Sequence, residues 1–209
     1  MKDKLSSKIS KDRLPIMEAF YTLQGEGFHQ GRAAYFIRLG GCDVGCHWCD
    51  VKESWNADLH PLTAVSNLVI QAKNSECNFV VITGGEPVMY DLSQLTQELH
   101  KEGIELAIET SGAYPLSGQW HWICLSPKKN KPPLEEYYSK ANELKVIIYN
   151  KNDFKWAEEH AAKVNSNCKL YLQVEWSKRN KLNEELIAYI KNNPKWRIST
   201  QSHKYLDIP

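Results

Sequence analysis

The sequence lacks most of what marks a special environment. No apolar run approaches the roughly 20 residues that a membrane span needs. The opening MKDKLSSKISKDRLP has no apolar stretch of the kind a secretory signal carries. A cytoplasmic protein with a loose N-terminal arm is the expectation, without membrane attachment. Neither sign of charge is in excess: 26 Lys and Arg face 25 Asp and Glu, a net +1. That leaves no electrostatic footprint for a nucleic-acid partner. There is no internal repeat and no low-complexity stretch. With 209 residues the chain can fill one good core but not two generous domains.

Cysteine is scarce too, six in all, and unevenly placed. Cys77, Cys124 and Cys168 stand apart in apolar or strand-like surroundings, as small buried hydrophobes do. Cys42, Cys46 and Cys49 fall together in GGCDVGCHWCD, residues 40–50. Without secretory features, a reducing compartment argues against disulfides. A structural zinc takes four ligands, commonly as two separated pairs. No second pair exists here, although His29, Cys77 or His121 offer a distant fourth ligand. A four-iron cluster normally takes one thiolate per iron, so three would leave one iron open to a chelating small molecule. Residue types alone leave the three readings standing, with the cluster favoured.

Around this loop, strand and helix signals alternate. PIMEAFYTLQ, AAYFIRL, NFVVITG, IELAIET, WHWICL, NELKVIIYN, KLYLQV and WRIST read as strands. TAVSNLVIQAK, FKWAEEHAAKV and LNEELIAYIKNN have helical spacing. So does DLSQLTQELHKEG, with Asp91 as N-cap and Gly103 as C-cap. Alternation implies right-handed crossovers and a mainly parallel sheet. Seven or eight strands with fewer helices make a single-domain α/β fold, a partial, trimmed TIM-like barrel; a complete one takes about 250 residues. Polar or glycine-rich clusters follow the strands: GGCDVGC, TGGEP, ETSG, SPKK, QVEW and QSHKY. In parallel α/β proteins such strand ends share one rim, where ligands bind.

CDVGCHWC, with Trp48 before the last cysteine, resembles the cluster loop of radical S-adenosylmethionine enzymes, and TGGEP resembles their second motif. LQGEG, ETSG, SPK and the final HKYLDIP resemble the 7-carboxy-7-deazaguanine synthases more specifically, over Met17 to Pro209. Residues 1–16 form the arm and 17–209 the core domain. The resemblance implies a lyase that converts 6-carboxy-5,6,7,8-tetrahydropterin to 7-carboxy-7-deazaguanine with loss of ammonia, in queuosine and 7-deazapurine biosynthesis. A 4Fe-4S cluster on Cys42, Cys46 and Cys49 would cleave S-adenosylmethionine to a 5′-deoxyadenosyl radical. A flavodoxin-like or other reductant, a homodimer and Mg²⁺ are implied as well.

The same resemblance assigns residues. Leu23, Gln24, Gly25, Glu26, Arg38, Thr83, His203 and the carboxylate of Pro209 would meet the pterin. Trp48, Asp50, Gly85, Glu86, Glu109, Ser126, Pro127, Lys128 and Gln173 would meet S-adenosylmethionine. Val51 departs from the pattern: it stands where the family carries a threonine or serine hydroxyl for magnesium. Asp50, Glu53, Ser54 or a backbone carbonyl would have to serve instead. Two rivals keep the loop but not the rest. An activase that makes a glycyl radical on a partner protein would lack LQGEG and HKYLDIP. A zinc-bound structural module would lack TGGEP's purpose.

Overall fold

A computed structural model describes residues 12–209, and within them the apolar runs are strands of one sheet. The strands are β1 (Arg13–Leu23), β2 (Ala33–Leu39), β3 (Leu62–Ala64), β4 (Phe79–Gly84), β5 (Glu105–Thr110), β6 (Trp122–Leu125), β7 (Glu143–Ile148), β8 (Lys169–Val174) and β9 (Trp196–Ile198). The helices are α1 (Val65–Asn74), α2 (Ser93–Lys101), α3 (Glu136–Lys140), α4 (Asn152–Ala161), α5 (Arg179–Asn192) and α6 (Ser202–Leu206). None of these helices is long and apolar enough to cross a membrane.

The sheet has nine strands in the order β3-β1-β2-β4-β5-β6-β7-β8-β9. β1 pairs antiparallel with β2 and β3, and every pair from β2 onward is parallel. Alternation along a strand sends successive side chains to opposite faces. One face is aliphatic: Ile37, Ile82, Ile108 and Ile123 lie side by side across β2, β4, β5 and β6, all buried. It packs under α1 and α2, which bury Leu68, Val69, Leu95 and Leu99. The other face carries polar groups. Glu18, Arg38 and Thr83 form a row across β1, β2 and β4.

The sheet curls as a partial barrel does. The loop between β1 and β2 meets the segment after β9, joining the two ends of the fold. Gly27 N donates to Ser199 Oγ at 3.0 Å, Gln30 Nε2 to Thr200 Oγ1 at 3.0 Å and Ser202 N to Gly25 O at 3.0 Å.

Four expectations are corrected. The arm expected over residues 1–16 is shorter at its inner end. Residues 1–11 lie outside the described residues, but Arg13, Leu14 and Pro15 already pair with β3, and Leu14 is buried. Asp91 does not occupy the N-cap of α2: Leu92 does, and Asp91 Oδ1 accepts from Ser93 N one residue earlier. Gly103 follows a Glu102 C-cap, with a φ of +72 that suits glycine. The extra strand is β3, too short to give a periodic signal.

Candidate active site

The strand ends and their loops line an open cavity of about 410 Å³. Gly84 and Gly85 line it, backed by Gly40 and Gly41 of the neighbouring loop. Leu39 and Gly84 are register partners, and the ladder continues past both strands. Gly85 N donates to Leu39 O and Glu86 N to Gly41 O, each at 2.8 Å. A Cβ on Gly85 would lie 2.2 Å from the carbonyl oxygen of Gly41, so only glycine allows this approach. The TGGEP loop is thereby fastened, backbone to backbone, to the start of the cysteine loop. The far side of that loop is pinned by Gly41 N to Ser54 O and Cys42 N to Trp55 O.

Cys42, Cys46 and Cys49 are free, half-buried and border the cavity. Among the described residues no three His, Cys, Asp or Glu side chains converge as ligands of a single ion. Three thiols spread along a cavity wall suit a multi-iron cluster better than a lone zinc, which needs a closed tetrahedron. Burial raises the thiol pKa of Cys42 and Cys46; Lys128 partly opposes this at Cys46. Metal loading therefore has to displace protons. Lys128 sits beside them with its ammonium on Ser126 O (2.6 Å) and Ser126 Oγ (2.7 Å).

Opposite the cysteines lies a charged network. Lys145, on β7, is buried and donates to Glu26 Oε2 (2.5 Å) and Glu109 Oε2 (3.4 Å). Gln24 Nε2 donates to Glu109 Oε1 at 2.9 Å, and Gln201 Nε2 to Glu26 Oε1 at 2.9 Å. Burial would raise the pKa of Glu26, but the Lys145 ammonium overrides it and holds the carboxylate at about 2. Burial would likewise lower Lys145, yet Glu109 and Glu26 lift it well above the ordinary lysine range. Both ends of this network stay charged at neutral pH.

Most sequence-predicted residues border the cavity, among them Gln24, Gly25, Glu26, Arg38, Thr83, His203 and Pro209. Trp48, Asp50, Val51, Gly85, Glu86, Glu109, Ser126, Lys128 and Gln173 do so as well. Two do not. Leu23 is exposed at the end of β1, because alternation turns it away from its neighbour Gln24. Pro127 lines a smaller cavity of about 100 Å³ behind the cysteine loop, with Cys46, His47 and Trp48. Glu86 borders the site, but its carboxylate is taken up by protein donors. It accepts from Thr110 Oγ1, from Ser111 Oγ, from Ser111 N at 2.9 Å and from Val88 N at 3.5 Å. It braces the ETSG loop, and TGGEP would present backbone rather than a free carboxylate. Gln173 is similarly engaged, accepting from Ser199 Oγ at 2.6 Å.

Sequence reasoning missed Lys145, Gln201, Lys204, Trp55 and Trp176, which all border the cavity. For Lys145 a signal existed: Glu143 and Lys145 are charges two residues apart inside an apolar strand, hence on one buried face. Gln201 and Lys204 lie in QSHKY, which the sequence places at the rim, but only the curl of the sheet brings them to the cysteine loop.

The chain resembles known proteins over nearly all of its length. The family model for the radical SAM superfamily matches residues 36–123. A 7-carboxy-7-deazaguanine synthase from Flavobacterium psychrophilum is 60% identical over 198 residues, covering 95% of this chain and 94% of that protein. One from Synechocystis is 53% identical, with 93% of each covered. The crystal structure of QueE from Escherichia coli superposes with a TM-score of 0.80 at 31% identity, covering 90% of this chain and 93% of that one.

Proposed function

The chain belongs to the 7-carboxy-7-deazaguanine synthases of the radical S-adenosylmethionine superfamily, and from that premise we propose that it converts 6-carboxy-5,6,7,8-tetrahydropterin to 7-carboxy-7-deazaguanine with loss of ammonia, in queuosine and 7-deazapurine biosynthesis. The observation that carries this reading is the backbone fastening of TGGEP to the three-cysteine loop beside one cavity that both loops line.

Cys42, Cys46 and Cys49 would hold the 4Fe-4S cluster. The Gly85 and Glu86 backbone, Ser126, Lys128 and Gln173 would hold S-adenosylmethionine. When bound, this pair supplies a one-electron reductive cleavage whose carbon radical abstracts hydrogen from the substrate. The chain's own residues bind, orient and exclude water. Arg38 borders the cavity with its Nε on Glu18 Oε1 at 2.6 Å, which leaves the terminal guanidinium nitrogens free to pair with a carboxylate. Gln24, held by Glu109 and by Glu26 N, would meet the pterin ring, Glu109 would meet S-adenosylmethionine, and His203 borders the cavity from α6. Burial lowers the His203 pKa, which keeps the ring neutral and able both to donate and accept. Phe20, Phe36 and Trp55 supply apolar walls, as small-molecule sites need.

The finer statements follow from the same reading. The enzyme works as a homodimer in the cytoplasm and takes electrons from a flavodoxin-like or other reductant. The free cysteines suit a reducing compartment. Exposed Tyr21, Tyr205 and Leu206 offer apolar surface for a second copy.

Anaerobic reconstitution followed by a product assay tests the proposal. A brown protein that turns the carboxy-tetrahydropterin into 7-carboxy-7-deazaguanine supports it. A cluster-loaded protein that cleaves S-adenosylmethionine but leaves this pterin untouched refutes the substrate.

A further inference from the structure

We propose that the ammonium of Lys204 stands in for a divalent cation in this site, neutralising Asp50 and offering its remaining N–H donors to the substrate carboxylate. The inference rests on the substrate reading above.

Most oxygens of the turn after the cysteine loop are already engaged or turned away from the cavity. Magnesium demands oxygen ligands in near-octahedral geometry. Val51 borders the cavity and its side chain contains none. The carbonyl of Val51 accepts from Ser54 N (3.1 Å) and Ser54 Oγ (2.7 Å), and Ser54 is buried and does not border the cavity. The carbonyl of Glu53 accepts from His60 Nε2 at 2.9 Å. Those of Ser54 and Trp55 accept from Gly41 N and Cys42 N. Glu53 itself is exposed and does not border the cavity. One carboxylate remains, Asp50, and it already has cationic company. Lys204 Nζ lies 2.6 Å from Asp50 Oδ2, with Gln201 Nε2 at 3.4 Å.

Lys204 is built to replace a charge here. Its side chain is 23% exposed and borders the cavity from α6, with the ammonium 5.3 Å from the Trp176 ring. An ammonium has three donors and no acceptor, and Asp50 uses one. Unpaired, Asp50 would repel an incoming carboxylate; paired, it does not. Arg38, His203 and Lys204 border the same cavity, so both cations can meet a ligand bound there. The planar Arg38 fork would set the carboxylate's orientation and Lys204 would add a point charge.

The test uses reconstituted enzyme with S-adenosylmethionine and 6-carboxytetrahydropterin present. Manganese serves as the probe, read by loss of the free aquo-ion signal in electron paramagnetic resonance. The parent enzyme should show no saturable manganese site, and its rate should be the same in chelator as in millimolar magnesium. Lys204→Met should raise KM for the pterin at least about ten-fold, the loss of one charge-assisted hydrogen bond. The double variant Val51→Thr with Lys204→Met should gain both a saturable manganese site and magnesium stimulation. Iron content and circular dichroism report whether each variant is folded. A parent enzyme that binds manganese saturably, or that loses most of its rate in chelator, overturns the inference. So does a folded Lys204→Met variant with unchanged KM. Pterin turnover by the parent tests the substrate reading and manganese binding tests the cation site, so either can fail alone.

Discussion

Lys145 Nζ lies 2.5 Å from Glu26 Oε2, joining the middle of β7 to the loop after β1 across the cavity. The ammonium is almost wholly buried and its second partner, Glu109, is 3.4 Å away. Removing it strands two mostly buried carboxylates without a counter-charge. Lys145→Met should cost about 3–5 kcal/mol in denaturant unfolding. Pairing it with Glu26→Gln should recover part of the loss. A single variant as stable as the parent would show that the network is hydrated.

Arg38 depends on Glu18 for its orientation rather than for the fold. The pair is partly exposed, so Glu18→Ala should change stability by less than about 1 kcal/mol. It should raise KM for the pterin while leaving kcat nearly intact, because the guanidinium fork loses its fixed end. Glu18→Gln keeps an acceptor for Arg38 Nε and should do less. Steady-state kinetics on both variants decide; an unchanged KM in Glu18→Ala counts against the role.

Gly85 is a position where one methyl group should disable two cofactors. Gly85→Ala places a carbon against the Gly41 carbonyl and pushes the TGGEP loop off the cysteine loop. Iron retained per chain and S-adenosylmethionine affinity should fall together. A variant that holds a full cluster would mean the loops can separate without loss.

Acid should weaken the fold in a window set by His160. Its Nδ1 meets the Tyr138 hydroxyl at 2.8 Å, and burial, with Lys163 adding, pulls its pKa down to about 4. The unfolded chain takes up that proton first, near pH 6.5. The stability this group provides is therefore complete above pH 6.5 and is lost as pH falls toward 4, by about 1–2 kcal/mol between pH 7 and 5. His160→Gln cannot titrate and should flatten that slope. Glu26 contributes separately: held at about 2, it is stabilising above the ordinary glutamate pKa and lost only in stronger acid. Unfolding curves at pH 7, 6 and 5 for parent and variant separate the two; equal slopes would remove His160 from the account.

Much of this was legible in the chain itself, for identifiable reasons. AAYFIRL and NFVVITG announce their strands because a strand buried on both sides needs an unbroken apolar run. The cysteine loop and TGGEP announce the site because their chemistry is carried by residues close in sequence. Strand β3 and helix α6 stayed hidden because three and five residues give too few repeats to set a period. Glu86 was legible as a site residue but not as a brace, since its partners Thr110 and Ser111 come from a different strand end. For Lys204, within the QSHKY cluster, only the pairing was illegible: its partner Asp50 is 154 residues away.

The closure between the β1–β2 loop and the segment beyond β9 also bears on how the protein is made. Gln201 and Glu26 are 175 residues apart, and their bond forms only after every intervening strand is in register. Long loops are costly to close, so such contacts come late in folding. The aliphatic face can assemble from neighbouring strands well before the cavity exists. Substitutions at Gln201 or Ser202 should then leave the early folding rate alone and speed the opening of the finished site, so that a chain with a sound core spends more of its time without a place to bind.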